Sequence, residues 1–205
     1  MTTATQRKIP RKVPEYLVKE VLDGIPIYYK GYKSVLRKEK DLESIMGASG
    51  LQIFIIKYFT YLLVRELKEE TYFFFTGEGG MHIDTGNNLS GDVMIYEKSK
   101  LPVSKIDVHY LDLPPKINIE IDVNIDHSFF TENTYITRKT ERLLAFGVEK
   151  VIWVLTKSKK VIIAEPNKDW LFVDWTKDIE ITDGIIFNMA KYLEKEGITI
   201  SSIKQ

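Results

Sequence analysis

The spacing of apolar residues predicts a series of short strands along the chain. Residues 16–29 have strand-like patterns on both sides of Asp23-Gly24, a dipeptide that favours a tight hairpin turn. Residues 116–123 alternate most clearly and predict an interior strand. The other strand-like segments are residues 72–75, 93–96, 148–155, 161–164 and 171–173.

Helical periodicity occurs in three segments, residues 51–68, 134–146 and 183–196. Ser49 precedes the first as an N-cap, Gly147 follows the second as a left-handed C-cap, and Thr182 precedes the third as its cap. This order of strands and helices predicts an α/β fold in which a mixed sheet is packed by helices.

The first predicted helix has an unusually wide apolar face. The residues that recur at helical spacing are Phe54, Tyr58, Tyr61, Leu62 and Arg65, and neighbouring isoleucines widen the apolar face. Such width indicates that the helix packs against a sheet and is not a solvated surface helix.

The glycine-rich stretch at residues 77–80 reads Gly-Glu-Gly-Gly. It lacks the Lys-Ser/Thr of a P-loop and the GxGxxG spacing of a dinucleotide site. We therefore interpret it as a flexible turn between the strands at 72–75 and 93–96.

The composition limits the domain count and the class of protein. A chain of 205 residues, 44% of them hydrophobic, fills one core and not two, so residues 1–205 are expected to form a single domain. The longest apolar stretch is interrupted by polar residues and is shorter than the roughly 20 residues that span a bilayer. The absence of cysteine excludes disulfides, thiolate zinc sites and cysteine nucleophiles. Because the polar N-terminus also lacks a secretory signal, we expect a cytoplasmic protein with no membrane contact.

The net charge of zero argues against a protein that coats nucleic acid. The charge is unevenly distributed, because residues 1–40 contain ten Lys and Arg against four acids. Residues 1–12 are predicted to be a flexible basic N-terminal segment. It could be a solvated, frayed terminus or an arm that contacts phosphates, and both alternatives are open.

The interior strand carries the first candidate for chemistry. Side chains alternate across a strand, so isoleucines and valine occupy one face of residues 117–123, while Asn118, Glu120 and Asp122 occupy the other. A half-exposed strand would explain this pattern. The alternative is a functional site, because the strand lies mid-chain between elements expected to cover both of its faces, and buried carboxylates need partners.

Two further charged residues stand at conspicuous positions. Lys139 shares its helical stripe with Leu143 and Phe146, so it lies on or beside the buried face, where a lysine often extends to solvent instead of doing chemistry. Asp92 opens the apolar strand 93–96, where an Asp is often only a turn residue. If Asp92, Glu120 and Lys139 converge, the two carboxylates suit Mg²⁺ or Mn²⁺, and the ammonium can orient water or neutralise phosphate charge.

Four stretches resemble the PD-(D/E)xK superfamily of restriction-endonuclease-like proteins, and more closely its Uma-two group of endonuclease-like proteins. They are YLVKEVLDGIP at 16–26, SGDVMIY at 90–96, INIEIDV at 117–123 and KTERLLAFGVEKVIWV at 139–154. The resemblance spans roughly residues 16–165 and leaves the tail unassigned. It implies a restriction-endonuclease-like mixed β-sheet flanked by α-helices.

The resemblance also implies roles for individual residues. Asp92 resembles the "D" of the superfamily motif and Glu120 its "(D/E)". Lys139 resembles the motif lysine, which in this group lies on the helix and eight residues before a Gly-Val pair. Asp122 stands where the motif lysine would otherwise be, and it could join the metal shell of Asp92 and Glu120 or pair with Lys139.

The chain departs from the group pattern in three places. The linker between Glu120 and Lys139 is longer than in the group and contains His127, Phe129 and Phe130. Val123 replaces a small polar residue, and the group's histidine near the start of the long helix is missing.

The resemblance implies a Mg²⁺- or Mn²⁺-dependent endonuclease that hydrolyses DNA phosphodiester bonds. A homodimer would allow such an enzyme to cut both strands of a duplex. The missing histidine and the change at Val123 favour an alternative, a catalytically silent module with a nuclease fold that binds nucleic acid or protein. A metal enzyme that acts on another phosphate ester is a third interpretation, because a fold does not select a substrate.

Overall fold

The computed structural model describes residues 12–199 and residue 203. All but the last residue of the predicted basic segment 1–12 therefore lies outside the described residues. Ten strands, five α-helices and two short 3₁₀ turns are present in the described part. The strands are β1 Val18–Leu22, β2 Ile25–Tyr28, β3 Tyr72–Asp84, β4 Asn87–Glu97, β5 Ile117–Ile121, β6 Lys150–Leu155, β7 Lys160–Ala164, β8 Leu171–Asp174, β9 Ile179–Thr182 and β10 Ile185–Phe187. The helices are α1 Tyr32–Leu36, α2 Glu43–Met46, α3 Gly50–Glu66, α4 Glu132–Phe146 and α5 Met189–Lys195.

Eight strands form one mixed sheet in the order β2-β1-β4-β5-β6-β7-β8, and β3 pairs with β4 beside this path. The β5–β6 pair is parallel, and every other pair in the sheet is antiparallel. The parallel pair requires a crossover connection, and α4 supplies it. β9 and β10 form a separate hairpin. The predicted fold class is confirmed: the protein is a mixed α/β structure with a mostly antiparallel sheet and flanking helices.

Two apolar clusters cover the two faces of the sheet. On one face, Ile119 and Ile152 pack with residues of α3, the β9–β10 hairpin and α5. On the other face, Val151 and Trp153 pack with residues of α4. The strands β5 and β6 are therefore buried on both sides, which places any polar side chain on them inside the protein.

The caps of the first two predicted helices are confirmed. The hydroxyl of Ser49 accepts a hydrogen bond from the backbone N–H of Gln52 at 3.2 Å, and Gly147 ends α4 in the left-handed conformation. The predicted apolar stripe of α3 was wrong in detail, because Tyr61 is 62% exposed. The buried side chains of α3 are Gln52, Ile55, Phe59, Leu62 and Leu63.

Two segment predictions were wrong. The glycine-rich stretch is not a turn between strands but a bulge inside β3, where Gly77 and Glu78 have positive φ, and the hairpin turn follows at Thr85-Gly86. The predicted helix 183–196 begins only at Met189, because Asp183-Gly184 forms a turn with two positive φ angles and makes a hairpin of β9 and β10. Asn188, and not Thr182, caps α5.

Within the described residues, no helix has the length and apolar character needed to cross a bilayer.

Candidate active site

Asp92 and Glu120 lie on the neighbouring antiparallel strands β4 and β5, one position beyond the pair Val93–Ile119. Both carboxylates are buried, with 6% exposure each. Asp92 Oδ2 accepts a hydrogen bond from the backbone N–H of Ile121 at 2.7 Å, and Gln52 Nε2 of α3 is 3.4 Å from Asp92 Oδ1. The sheet therefore brings the two predicted carboxylates together, and the interpretation of β5 as a half-exposed strand is excluded.

Lys139 extends from α4 to the same point. Its Nζ is 3.1 Å from Glu120 Oε1, and the side chain is only 1% exposed, so it does not extend to solvent. It belongs to a buried stripe of α4 with Tyr135 and Leu143, because residues at intervals of four lie on the same face of a helix. The structure thus places all three predicted site residues together.

Glu20 is a fourth charged member of the site, and it was not predicted from the sequence. It lies on β1, and its Oε1 is 2.8 Å from Lys139 Nζ. Ser90 donates to the same oxygen through its N–H at 3.0 Å and its hydroxyl at 2.6 Å, while the Tyr135 hydroxyl donates to Oε2 at 2.6 Å. The alternation of β1 does place Glu20 on the same face as Leu22, which is buried. That pattern was the available clue.

The two glutamates share one lysine, and their hydrogen bonds decide which of them keeps the negative charge. Burial raises the pKa of a carboxyl group, but for Glu20 the charge of Lys139 and the bonds from Lys139, Ser90 and Tyr135 outweigh burial and lower the pKa. For Glu120, burial dominates, and together with the charges of Asp92 and Glu20 it raises the pKa despite the nearby lysine. Burial alone would lower the pKa of Lys139, but the two glutamates reverse this effect and raise it.

Asp92 is also a carboxyl group whose negative charge is poorly compensated. Burial raises its pKa, and the bond from the Ile121 N–H and the charge of Lys139 only partly oppose this. Asp92, Glu120, Lys139 and Tyr135 line a cavity of about 10 Å³. That volume is close to the smallest that accepts a single water molecule.

Asn118 and Gly91 complete the support of Glu120. Asn118 Nδ2 donates to Glu120 Oε1 at 2.7 Å, and the Asn118 side chain is fully buried. It fits only because residue 91 has no side chain: a Cβ there would lie 2.1 Å from Asn118 Oδ1 and 2.9 Å from Met94 Cγ. The glycine before Asp92 is therefore a packing requirement of the site.

The expectations for Asp122 need correction. β5 ends at Ile121, and Asp122 has φ +62°, so it does not continue the polar face of Asn118 and Glu120. Its carboxylate accepts from the N–H and the hydroxyl of Thr156, both at 2.6 Å, and it makes no ion pair with Lys139. Asp122 lines the cavity, but its oxygens are directed to the β6–β7 turn.

The carboxylates of this site supply some of the oxygen ligands that a hard divalent ion needs. Among residues 12–199 and 203, no cluster of three or more His, Cys, Asp or Glu side chains is arranged to hold a metal. Mg²⁺, however, is commonly held by one or two carboxylates together with water and substrate phosphate. Asp92 and Glu120 provide that number, and in the described residues Glu120 accepts hydrogen bonds only through Oε1, which leaves Oε2 for a further ligand. A divalent ion there would also compensate the two carboxylates whose pKa values are raised.

The chain matches no protein-family model and no curated protein at a significant level. Its fold is similar to a solved structure from Anabaena variabilis of a protein described as a candidate nuclease of DUF820, which is the Uma-two group. The identity is 12% and the TM-score 0.56, and the similarity covers 72% of this chain and 82% of that chain. This likeness establishes a nuclease-like fold. The assignment of the PD-(D/E)xK motif to individual residues is still a prediction.

Proposed function

We propose that this protein is a divalent-metal-dependent endonuclease that hydrolyses DNA phosphodiester bonds, with Asp92 and Glu120 as metal ligands and Lys139 as the catalytic cation. The observation that carries the proposal is the buried contact between Glu120 and Lys139 beside Asp92. Burying three ionisable groups side by side is costly, so an arrangement of this kind is more typical of a functional site than of a stabilising ion pair. The similarity in fold to a candidate nuclease supports the same class of reaction.

The proposal gives each side chain a role that its contacts support. Asp92 is oriented by the Ile121 N–H and Glu120 by the Asn118 amide, so both carboxylates are held in place before a ligand arrives. A bound Mg²⁺ or Mn²⁺ would supply Lewis acidity and a more acidic water molecule. Lys139 Nζ is a donor that can orient the attacking water and stabilise the negative charge that develops on the phosphate oxygens. Glu20 and Tyr135 fix that ammonium, which makes them positioning residues.

The direct test is cleavage of supercoiled and linear DNA with Mg²⁺ or Mn²⁺. Asp92→Asn, Glu120→Gln and Lys139→Met should each lower the cleavage rate by at least about a hundredfold, as expected when a group that stabilises the transition state is removed. Asp178→Asn and Lys191→Met are matched controls, because these residues form an exposed ion pair at 2.9 Å outside the site. Equal cleavage by the wild type and the three site variants would refute the proposal.

Two observations favour a second candidate, a nuclease-fold module that binds nucleic acid without cleaving it. The cavity beside the carboxylates is only about 10 Å³, and within the described part of the chain no three-residue metal cluster exists. Calorimetric titration with Mn²⁺ separates the two candidates. The endonuclease requires binding that disappears in Asp92→Asn, whereas the silent module shows no difference between that variant and the wild type.

A further inference from the structure

An open cleft of about 650 Å³ lies directly beside the buried carboxylates. The cleft and the small cavity share four wall residues, Gln52, Asp122, Val123 and Asn124. The cleft therefore adjoins the cavity, and Asp92 and Glu120 lie behind the wall that the two spaces share. Its volume is in the range of sites that take extended organic ligands.

Cationic groups are prominent on the cleft wall. Lys30, Lys40 and Lys157 line it. Lys30 and Lys40 are exposed and, among the described residues, neither forms an ion pair with a carboxylate. Two acids, Asp122 and Glu132, also line the cleft, so its wall carries three lysines against two carboxyl groups. Lys30 and Lys40 are thus the groups of the cleft that are suited to bind an anionic ligand.

The start of α3 adds to this electrostatic character. Ser49 and Gln52, the cap and first turn of this 17-residue helix, are part of the cleft wall. The N-terminal end of a helix carries a partial positive charge and attracts phosphate groups. The lysines and the N-terminus of α3 therefore both attract a negatively charged ligand.

The long linker between β5 and α4 forms part of the cleft wall and continues into an aromatic segment. His127 lines the wall, and two residues further on Phe129 is 57% exposed, with its ring 6.2 Å from that of Tyr28. The linker is fixed to the body of the protein, because the Asp126 N–H donates to the Tyr28 carbonyl at 2.9 Å and Lys33 Nζ donates to Ser128 Oγ at 2.7 Å. Phe129 is thus an exposed ring on an anchored loop, which is a suitable surface for stacking a base.

We propose that this cleft binds an unpaired, single-stranded stretch of DNA, with phosphates at Lys30 and Lys40 and a base stacked on Phe129. The inference rests on the proposed function and specifies its substrate. A positively charged groove combined with an exposed aromatic ring is the combination that binds single strands. Asp92 and Glu120 are buried behind the wall that the cleft shares with the small cavity, with 6% exposure each, so a flexible single strand reaches them more easily than a stiff duplex does.

The test measures binding separately from cleavage. Fluorescence anisotropy of a labelled 12-nucleotide oligo-dT, its duplex with oligo-dA and the matching RNA oligomer is recorded with the full-length chain in EDTA. We expect the single-stranded DNA to bind at least about tenfold more tightly than the duplex. Lys30→Glu with Lys40→Glu should weaken binding at least about tenfold and lower the salt slope by about 1.4, or 0.7 for each lost phosphate contact. Phe129→Ala should weaken binding at least about fivefold without changing that slope.

The matched control is Lys68→Glu with Lys177→Glu, two exposed lysines that do not line the cleft. Circular dichroism checks that each variant folds. If the double variant Lys30→Glu with Lys40→Glu does not fold, the double variant Lys30→Gln with Lys40→Gln replaces it. Duplex binding as tight as single-strand binding, tighter binding of the RNA, or equal losses in the cleft and control variants would overturn the inference. Cleft-dependent binding without cleavage in Mn²⁺ would support the cleft assignment and refute the nuclease instead.

Discussion

Lys139 holds together a buried network whose charges do not balance. Its ammonium contacts Glu20 at 2.8 Å and Glu120 at 3.1 Å, and Asp92 lies on the adjacent strand. One cation therefore faces three carboxyl groups. The hydrogen bonds from Ser90 and Tyr135 favour the negative charge on Glu20, so Glu120 and Asp92 are the groups for which a proton or a metal ion is needed.

The first prediction concerns the cost of removing this cation. Lys139→Met should destabilise the folded protein by about 3–5 kcal/mol, because buried carboxylates lose their counter-charge. Lys191→Met removes an exposed lysine paired with Asp178 and should cost no more than about 1 kcal/mol. Urea unfolding of both variants measures the difference. Equal losses would show that Lys139 is not the electrostatic centre of the site.

The second prediction concerns the pH dependence of stability. Burial, with the charges of Asp92 and Glu20, raises the pKa of Glu120 to about 8 from 4.5. The neutral carboxyl group therefore stabilises the folded state fully below pH 4.5, and this contribution is lost as the pH rises towards 8. In EDTA, the free energy of unfolding of the wild type should fall relative to that of Glu120→Gln between pH 5 and pH 8. Above pH 8 the two free energies should change with pH in parallel. Parallel curves throughout this range would contradict the raised pKa.

At the residue scale, the sequence predicted much of the site but not its full charge network. Strand alternation and the family resemblance indicated Glu120, and helical spacing indicated that Lys139 faces inward. Glu20 was missed because it lies far from Lys139 in the sequence, and the two meet only when β1 pairs with β4 and α4 packs on that face of the sheet. Asp122 was misplaced because alternation holds only while a strand continues, and β5 ends one residue earlier.

At the element scale, β4 approaches β5 closely enough that Gly91 becomes essential. We predict that Gly91→Ala destabilises the protein by about 1–3 kcal/mol, since the new Cβ would collide with Asn118 Oδ1 at 2.1 Å. Displacement of Asn118 would also release Glu120, so DNA cleavage should fall in parallel. Gly50→Ala is the control, because nothing lies within 4 Å of its Cβ position and alanine favours the start of α3. Chemical unfolding and the cleavage assay measure both effects, and equal behaviour of the two variants would contradict the packing argument.

The element boundaries show where local patterns are informative. Helices α3 and α4 were predicted to within two residues, because a long helical pattern coincides with a cap residue in each, Ser49 before α3 and Gly147 after α4. The C-terminal helix was predicted too long because Ile185, Ile186 and Phe187 fit a helical spacing as well as a strand. The turn at Asp183-Gly184 decides between them, since two consecutive positive φ angles end any helix and favour a hairpin.

At the scale of the whole molecule, the C-terminal segment beyond residue 165, which the family resemblance left unassigned, belongs to the core on one face of the sheet. Residues of β9, β10 and α5 share one apolar cluster with α3 and β5. Phe187 is fully buried, and its ring lies 5.0 Å from that of Phe59 in an edge-to-face arrangement. The C-terminal hairpin therefore supports α3, the helix whose Gln52 contacts Asp92.

This packing leads to a prediction about cooperativity. Phe59→Ala and Phe187→Ala should each destabilise the protein by about 3–5 kcal/mol, and the double variant should deviate from additivity by about 0.5–1.5 kcal/mol because the rings touch. If residues 1–205 form one domain, circular dichroism and tryptophan fluorescence should report a single, coincident urea transition in every variant. Trp153 lies in the sheet next to α4 and Trp175 lies beside the C-terminal hairpin, so separate unfolding of the two regions would split the fluorescence transition. Two transitions, or fully additive losses, would show that the C-terminal segment is an independent unit and that the site depends only on the sheet and α4.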